Sequence, residues 1–312
     1  MTVNKTSEPL FPKEKEDTIR ENYGDWQTNY EFAKNVCLYL KNRGIVPDIV
    51  VEPTCGVGNF IAAAIDVFET IKKVYGVEIF KGYVDQTEKK LQEYQKNNLI
   101  VSYELYNADV FNFDFREIAN QNPDQNILVI GNPPWVTNSG LGKNDGVNLP
   151  VKGNINKTKG IEAITGKGNF DIAESICNQI IDDFSHHGNT HIALLVKNSV
   201  VKNIIHRQHF HPRRIQDVRQ LVFDAKKEFN VSVPASLFEC HIGNDCQKEC
   251  ISYDFYTKRI THSFGWVNEA FVSNIQDYGR TSFLDGQSPL IWRSGIKHDC
   301  SKVMELSLND ST

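Results

Sequence analysis

Between residues 48 and 131, short β-branched runs alternate with segments of helical periodicity, and this limits the fold more than any other feature. Asp48 to Val51, Lys73 to Val77, Ile100 to Tyr106 and Ile127 to Ile130 read as strands. After the first of them, Phe60, Ile61, Ala64, Ile65 and Phe68 fall on one helical face. Strand, helix and strand in succession build a parallel sheet with right-handed crossovers. The expected fold is therefore α/β: a doubly wound, Rossmann-like sheet, mostly parallel, with an antiparallel end strand. Open sheets of this kind bind ligands beyond the carboxyl ends of their strands, so the residues just past each strand are the chemical candidates.

The first strand runs into Glu52-Pro53-Thr54-Cys55-Gly56-Val57-Gly58-Asn59-Phe60. A Gly-x-Gly turn between strand and helix lets the backbone approach a ligand closely. It lacks the third glycine of the dinucleotide fingerprint and has no Gly-Lys-Ser/Thr ending for a triphosphate. Glu52 would repel phosphate, so the turn suits a cationic amine or a sulfonium better. Cys55, with no basic neighbour in sequence, reads as a small filler and not as a nucleophile. The second strand ends in Glu78, placed to bind ribose hydroxyls, with Ile79 beside it. The third leads to Asp109-Val110-Phe111, where the acid can accept from an exocyclic amine while Val110 or Phe111 packs on a purine face. Glu78 and Asp109 would also serve as plain helix caps.

After the fourth strand and Gly131 come Asn132-Pro133-Pro134-Trp135. Pro133 and Pro134 have no backbone N–H, so the stretch offers carbonyl acceptors and almost no donors. Pro134 also holds Pro133 out of the α region and keeps the segment stiff. With the Asn132 side-chain oxygen and a flat indole, the result is a rigid pair of acceptors beside a stacking surface, suited to an amino group on a planar ring.

These strand ends together resemble the class I S-adenosylmethionine-dependent methyltransferases of the N6-adenine DNA type, with the cofactor motif first. The resemblance covers roughly residues 20 to 295 and is strongest in the first half. It implies a methyltransferase sheet in which Glu52, Pro53, Gly56 and Gly58 form the cofactor turn and Glu78 and Ile79 the ribose contact. Asp109 and Val110 would hold the cofactor's adenine, and Asn132 to Trp135 would be catalytic, with Asn132 also near the cofactor. Tyr23-Gly24-Asp25-Trp26-Gln27-Thr28 resembles the N-terminal motif closing over the methionine end, so Thr28 joins the cofactor residues; the usual Thr-Pro is here Thr28-Asn29. Phe170-Asp171 resembles a later motif bordering the adenine. Phe229-Asn230-Val231-Ser232-Val233-Pro234 resembles a segment holding the flipped base, which places Phe229 with Trp135 at the substrate base. The implied partner is double-stranded DNA with the target adenine flipped out, and the implied cofactor is S-adenosyl-L-methionine, with no metal.

The rest of the chain fits an enzyme of this kind. Its 312 residues, 40% of them apolar, suffice for a sizeable core. No run is long and apolar enough to span a membrane, and the polar first 17 residues are no signal peptide, so a cytoplasmic location is expected. Seven scattered cysteines fit a reducing compartment. Cys240-His241, Cys246 and Cys250 do not match a common zinc spacing. The net charge of −5 is unusual for a DNA binder, which makes local clusters the relevant feature. Lys202, His206, Arg207, His209, His211, Arg213, Arg214 and Arg219 form one such cluster. Lys143, Lys152, Lys157, Lys159 and Lys167 form another.

Residues 1–20 read as a flexible N-terminus, 21–47 as a helical lid segment and 48–260 as the methyltransferase domain. Within it, 136–169 is a Gly-, Asn- and Lys-rich active-site loop expected to order over the substrate. Helix 171–187, strand 191–196, helix 199–208 and strand 221–223 continue the sheet, and Ala235 to His241 is expected to pair with Ile251 to Tyr256 across Gly243-Asn244-Asp245. Residues 261–312, with Ser288 to Gly295, read as the start of a target-recognition region cut short, so specificity would lie in a C-terminal or separate module. An RNA base methyltransferase, a protein glutamine methyltransferase and an inactive cofactor-binding subunit stand as alternatives.

Overall fold

The computed structural model describes residues 27–135 and 171–286. Tyr23 to Trp26, the 136–169 loop with its lysines, Phe170 and Ser288 to Gly295 lie outside the described residues. In chain order come helix α1 (Tyr30–Asn42), strand β1 (Ile49–Glu52), α2 (Asn59–Val67), β2 (Lys73–Glu78) and α3 (Lys81–Lys96). Strand β3 (Ser102–Asn107), a 3-10 turn (Val110–Asn112), α4 (Arg116–Gln121) and β4 (Ile127–Gly131) follow. After residue 170 come α5 (Ile172–Asp183), β5 (Thr190–Lys197), α6 (Asn198–Phe210), β6 (Ile215–Phe223), α7 (Ala225–Phe229) and β7 (Ala235–Ile242). Then come β8 (Glu249–Asp254), β9 (Ile260–Val267), β10 (Ala270–Val272) and α8 (Ile275–Thr281). One compact unit extends to Gln276, and a second, small one starts at Asp277 and includes a 3-10 turn, Ser282–Leu284.

The strands form one ten-stranded sheet in the order β10-β9-β8-β6-β7-β5-β4-β1-β2-β3. From β3 to β5 all pairings are parallel, with the chain turning back between β1 and β4. This is the doubly wound, mostly parallel α/β sheet expected from the sequence. Strands β1 and β4 are buried at every position, which is why Ile-Val-Val and Ile-Leu-Val-Ile show no polar alternation. Helix α1 starts at Asn29, whose Oδ1 accepts the Glu31 N–H at 2.8 Å. Asn29 thus supplies a cap where the resembling family carries proline. Phe32, Ala33, Val36, Cys37 and Leu40 form its buried stripe.

The far half of the sheet differs from expectation. At the far edge β9 pairs antiparallel with both β8 and β10, as expected of an antiparallel end, but a further antiparallel strand, β7, lies inside the sheet between β5 and β6. Strand β7 does not form a hairpin with the next strand. Both its edges are occupied, and the connection crosses the start of β6: the Gly243 N–H donates to Arg214 O at 3.0 Å and the Gln247 N–H to Ile215 O at 2.9 Å. Strand β8 therefore pairs parallel with β6 and antiparallel with β9. The sheet runs past residue 260, because β9 and β10 extend it.

Strand β6 is longer than Leu221 to Phe223 because its polar residues face partners inside the protein. A bulge between Gln216 and Arg219 turns Asp217 to φ 52°. Asp217 pairs there with Arg43 of α1 and, at 2.9 Å, with Arg219. Fully buried Glu239 of β7 completes the cluster, with His191 Nε2 at 3.0 Å, Arg43 Nη2 at 3.2 Å and the Tyr39 hydroxyl at 2.7 Å.

Candidate active site

The ends of β1, β2, β3 and β4 open into one cavity. Its wall includes Thr28, Glu52, Pro53, Gly56, Glu78, Ile79, Asp109, Val110 and all of Asn132 to Trp135. Residues from four strand ends and the segment before α1, from Gln27 to Trp135, therefore share a single pocket. Among the sequence candidates, Gly58 and Phe229 do not line it.

Gly58 acts one step back. It caps α2 in the left-handed conformation, φ 74°, and Gly56 precedes it at φ 50°. A Cβ on Gly58 would stand 2.7 Å from Thr87 Cγ2, and one on Gly56 would stand 2.6 Å from Gln27 Oε1. The turn is bare because helix α3 presses on one side and the N-terminal segment on the other. Thr87 Oγ1 donates to Gly56 O at 3.0 Å, and Lys90 Nζ to Val57 O at 2.7 Å. On the other side, the Val57 N–H donates to Gln27 Oε1 at 3.3 Å, and Asn59 Nδ2 to Thr28 O at 2.8 Å.

Two acids shape the turn from beneath. Glu52 Oε2 accepts the Ile61 N–H at 3.3 Å in the first turn of α2, where a helix N-terminus favours negative charge. Burial nonetheless pushes its carboxyl well above the usual range, and nearby Glu78 adds to the effect. Glu78 accepts the N–H of Gly56 with one oxygen and that of Phe80 with the other, each at 2.8 Å, so it fixes the turn from the neighbouring strand. The Cys55 thiol is pushed up by burial and then by Glu78 and Glu52, which fits a filler and not a nucleophile.

Asp109 is a cap that also faces the cavity. It caps the 3-10 turn, its Oδ1 accepting the Phe111 N–H at 3.0 Å, and it lines the cavity. Gln179 of α5 holds this end in place by donating to Val110 O at 2.9 Å and to Phe113 O at 3.0 Å.

Trp135 is 8% exposed, and its indole N–H donates to Leu195 O at 3.1 Å. Phe229 stands behind it, T-shaped at 5.2 Å, and packs on Phe32 at 5.8 Å. The two aromatics expected to flank a base thus touch each other, with Phe229 in the core cluster and away from the cavity wall. Asp171 heads α5, capping Ala173 N and pairing with Lys197 at 2.9 Å. Ile172 and Ile176, just after it, reach the cavity.

The cavity also takes in Thr54, Asn59, Phe80, Tyr83 and Phe111. Phe80 and Tyr83 are site residues that no spacing rule marks in the sequence. The Thr54 hydroxyl is buried with no hydrogen-bond partner among the described residues. In a cavity lined by acids, such a group fits a polar ligand. The basic cluster around α6 is only partly a surface. Arg213 Nη1 is turned inward to Asn178 Oδ1 at 2.6 Å, and Arg219 is bound to Asp217. Lys202, His206, His211 and Arg214 stay exposed. Among the described residues no group of three or more His, Cys, Asp or Glu could hold a metal ion, and no helix is long and apolar enough to cross a membrane.

No protein-family model matches the chain. It is 38% identical over 292 residues to Type II methyltransferase M.NspV of a Nostoc species, covering 93% of this chain. The chain spans 60% of that relative's length. A type I restriction-modification system methyltransferase subunit from Streptococcus thermophilus superposes with a TM-score of 0.48 at 14% identity, over 82% of this chain and 52% of the other. The Type IIL restriction-modification enzyme MmeI, in complex with DNA, gives a TM-score of 0.43 at 13% identity, over 77% and 36%.

Proposed function

We propose that this chain is a restriction-modification methyltransferase that transfers a methyl group from S-adenosyl-L-methionine to the exocyclic N6 of an adenine in DNA. The observation that carries the reading is the shared pocket. Asn132 to Trp135, with their acceptors and indole, line the same cavity as Glu52, Glu78 and Asp109. One wall suits an amine on a flat ring and the others suit a nucleoside joined to a charged amino acid.

Glu78 and Ile79 would hold the ribose, Asp109 and Val110 the adenine, and Thr28, Glu52, Pro53 and Gly56 the methionine end. When bound, S-adenosylmethionine supplies an electrophilic methyl group on a sulfonium. Buried Glu52 and Glu78 make this end of the cavity favourable to positive charge.

An exocyclic adenine amine is a weak nucleophile because its lone pair is delocalised into the ring. The Asn132 side-chain oxygen and the Pro133 carbonyl accept its two hydrogens and favour a pyramidal nitrogen. The lone pair is thereby directed into the cavity, so the catalytic contribution is positioning and electrostatics. The base must be flipped to reach this depth, and Trp135 stacks on it. Phe229 supports Trp135 from behind.

Labelled S-adenosylmethionine, methyl-deficient cell extract and the wild-type protein, run beside Asn132→Ala, test the reading. Label is expected in DNA as N6-methyladenine and is absent with the variant, which still binds the cofactor. Label in RNA, or on protein glutamine, would replace DNA as the substrate. Cofactor binding with no label in any fraction would identify an inactive subunit.

A further inference from the structure

We infer that Lys90 and Thr87 on α3 are positioning residues for the methionine end of the cofactor, acting through the glycine turn and Asn59. The inference rests on the proposed cofactor site and adds residues that nothing in the motif pattern marks.

The two side chains lie three positions apart on one face of α3, so both can reach the same turn. Thr87 Oγ1 holds Gly56 O at 3.0 Å, and Lys90 Nζ holds Val57 O at 2.7 Å. These are consecutive carbonyls of the left-handed turn, and both point back to α3. A carbonyl turned the other way would present a lone pair to the cofactor's carboxylate. With both tied back to α3, neither carbonyl is turned toward that carboxylate.

Lys90 has a second hold. Its ammonium also donates to Asn59 Oδ1 at 3.0 Å, which fixes the amide so that Asn59 Nδ2 donates to Thr28 O at 2.8 Å. One cation thereby joins α3, the glycine turn and the segment that enters α1. Asn59 and Thr28 both line the cavity, whereas Lys90 does not, so its effect on a ligand is indirect. Lys90 also opposes the charge of Glu52 and favours its ionised form. The positive charge therefore acts on the polar end of the pocket twice, through Asn59 and through Glu52.

The test compares two ligands in direct binding. S-adenosylhomocysteine carries the amino-acid end, and 5′-methylthioadenosine lacks it. Lys90→Met and Thr87→Val are expected to weaken S-adenosylhomocysteine about tenfold each, with methylthioadenosine affinity unchanged. Lys90→Arg and Thr87→Ser are expected to recover most of the loss. Equal weakening of both ligands would mean general damage to the fold and would overturn the inference. Unchanged affinity for both would overturn it as well. A wild-type protein that binds neither ligand would remove the cofactor site itself and the inference with it.

Discussion

The Trp135 indole N–H donates to the Leu195 carbonyl at 3.1 Å, one residue beyond the last ladder pair of β4 and β5, Gly131 with Leu194. The rigid segment after β4 is thereby fastened to the neighbouring strand, and Phe229 and Phe223 close on the ring at 5.2 and 6.4 Å. Trp135 is thus a structural strut as well as a cavity wall. Trp135→Phe keeps most of the packing, strands one carbonyl and should cost about 1 kcal/mol. Trp135→Ala opens a cavity among the aromatics and should cost about 3–5 kcal/mol. Denaturant unfolding measures both. An Ala variant as stable as wild type would show that the ring is not structural.

Gly58→Ala combines two penalties. The left-handed φ of 74° costs a side chain about 1–2 kcal/mol, and the new Cβ would meet Thr87 Cγ2 at 2.7 Å. Thr87→Ser removes that methyl group while keeping the hydroxyl that holds Gly56 O. In a double-mutant cycle the serine should recover part of the alanine's loss, with a coupling of at least about 0.5 kcal/mol. Strict additivity would show that helix α3 does not constrain the turn.

Parallel β1, β2 and β4 were legible because strands buried on both faces keep uninterrupted apolar runs, and a site at strand ends follows from that geometry. Glu52, Gly56, Glu78, Asp109 and Asn132 are thus assigned to the cavity by sequence alone. The far half of the sheet was less legible for a physical reason. Asp217, Arg219 and Glu239 are polar residues in buried strands, satisfied by Arg43, Tyr39 and His191 from distant parts of the chain. Hydrophobic periodicity cannot register such pairing, so β6 read as three residues and β7 as half of a hairpin. Thr87 and Lys90 escaped notice for a similar reason, since polar residues on an amphipathic helix look solvated until a carbonyl is found opposite them.

Glu52→Gln separates stability from binding. Burial raises the carboxyl in the folded protein above its unfolded value of about 4.3. The ionised form is thus the one that folding disfavours, and stability falls as pH rises from about 4.3 through the folded value. Glutamine keeps an acceptor for the Ile61 N–H and removes the charge. The variant should melt higher than wild type at pH 7, with the gap closing on acidification towards about pH 4.3. Its S-adenosylmethionine affinity should drop. Thermal melts at the two pH values and binding calorimetry check this, and a variant less stable at pH 7 would refute the assignment of strain to this acid.

Glu239 predicts the opposite pH dependence. Burial pushes its carboxyl upward, but the His191 and Tyr39 hydrogen bonds and the Arg43 charge outweigh burial and hold it below the ordinary range. A lowered folded value contributes stability that is fully present above about pH 4.3 and is lost as pH falls through the folded value. Glu239→Gln removes the anion while leaving Arg43 and His191 in place. At neutral pH the variant should lose about 3–5 kcal/mol, as expected when one partner of a buried ion cluster is removed. As pH falls from about 4.3 through the lowered folded value the difference should shrink, since the wild-type carboxyl then becomes protonated too. Tyr39 lies in α1 and Arg43 caps its end, while Thr28, just before its N-cap Asn29, lines the cavity, so the same variant should loosen that helix. Amide exchange along 30–42 measures the loosening. Protection equal to wild type there, together with a pH-independent loss of stability, would show that the cluster holds the strands and not the helix.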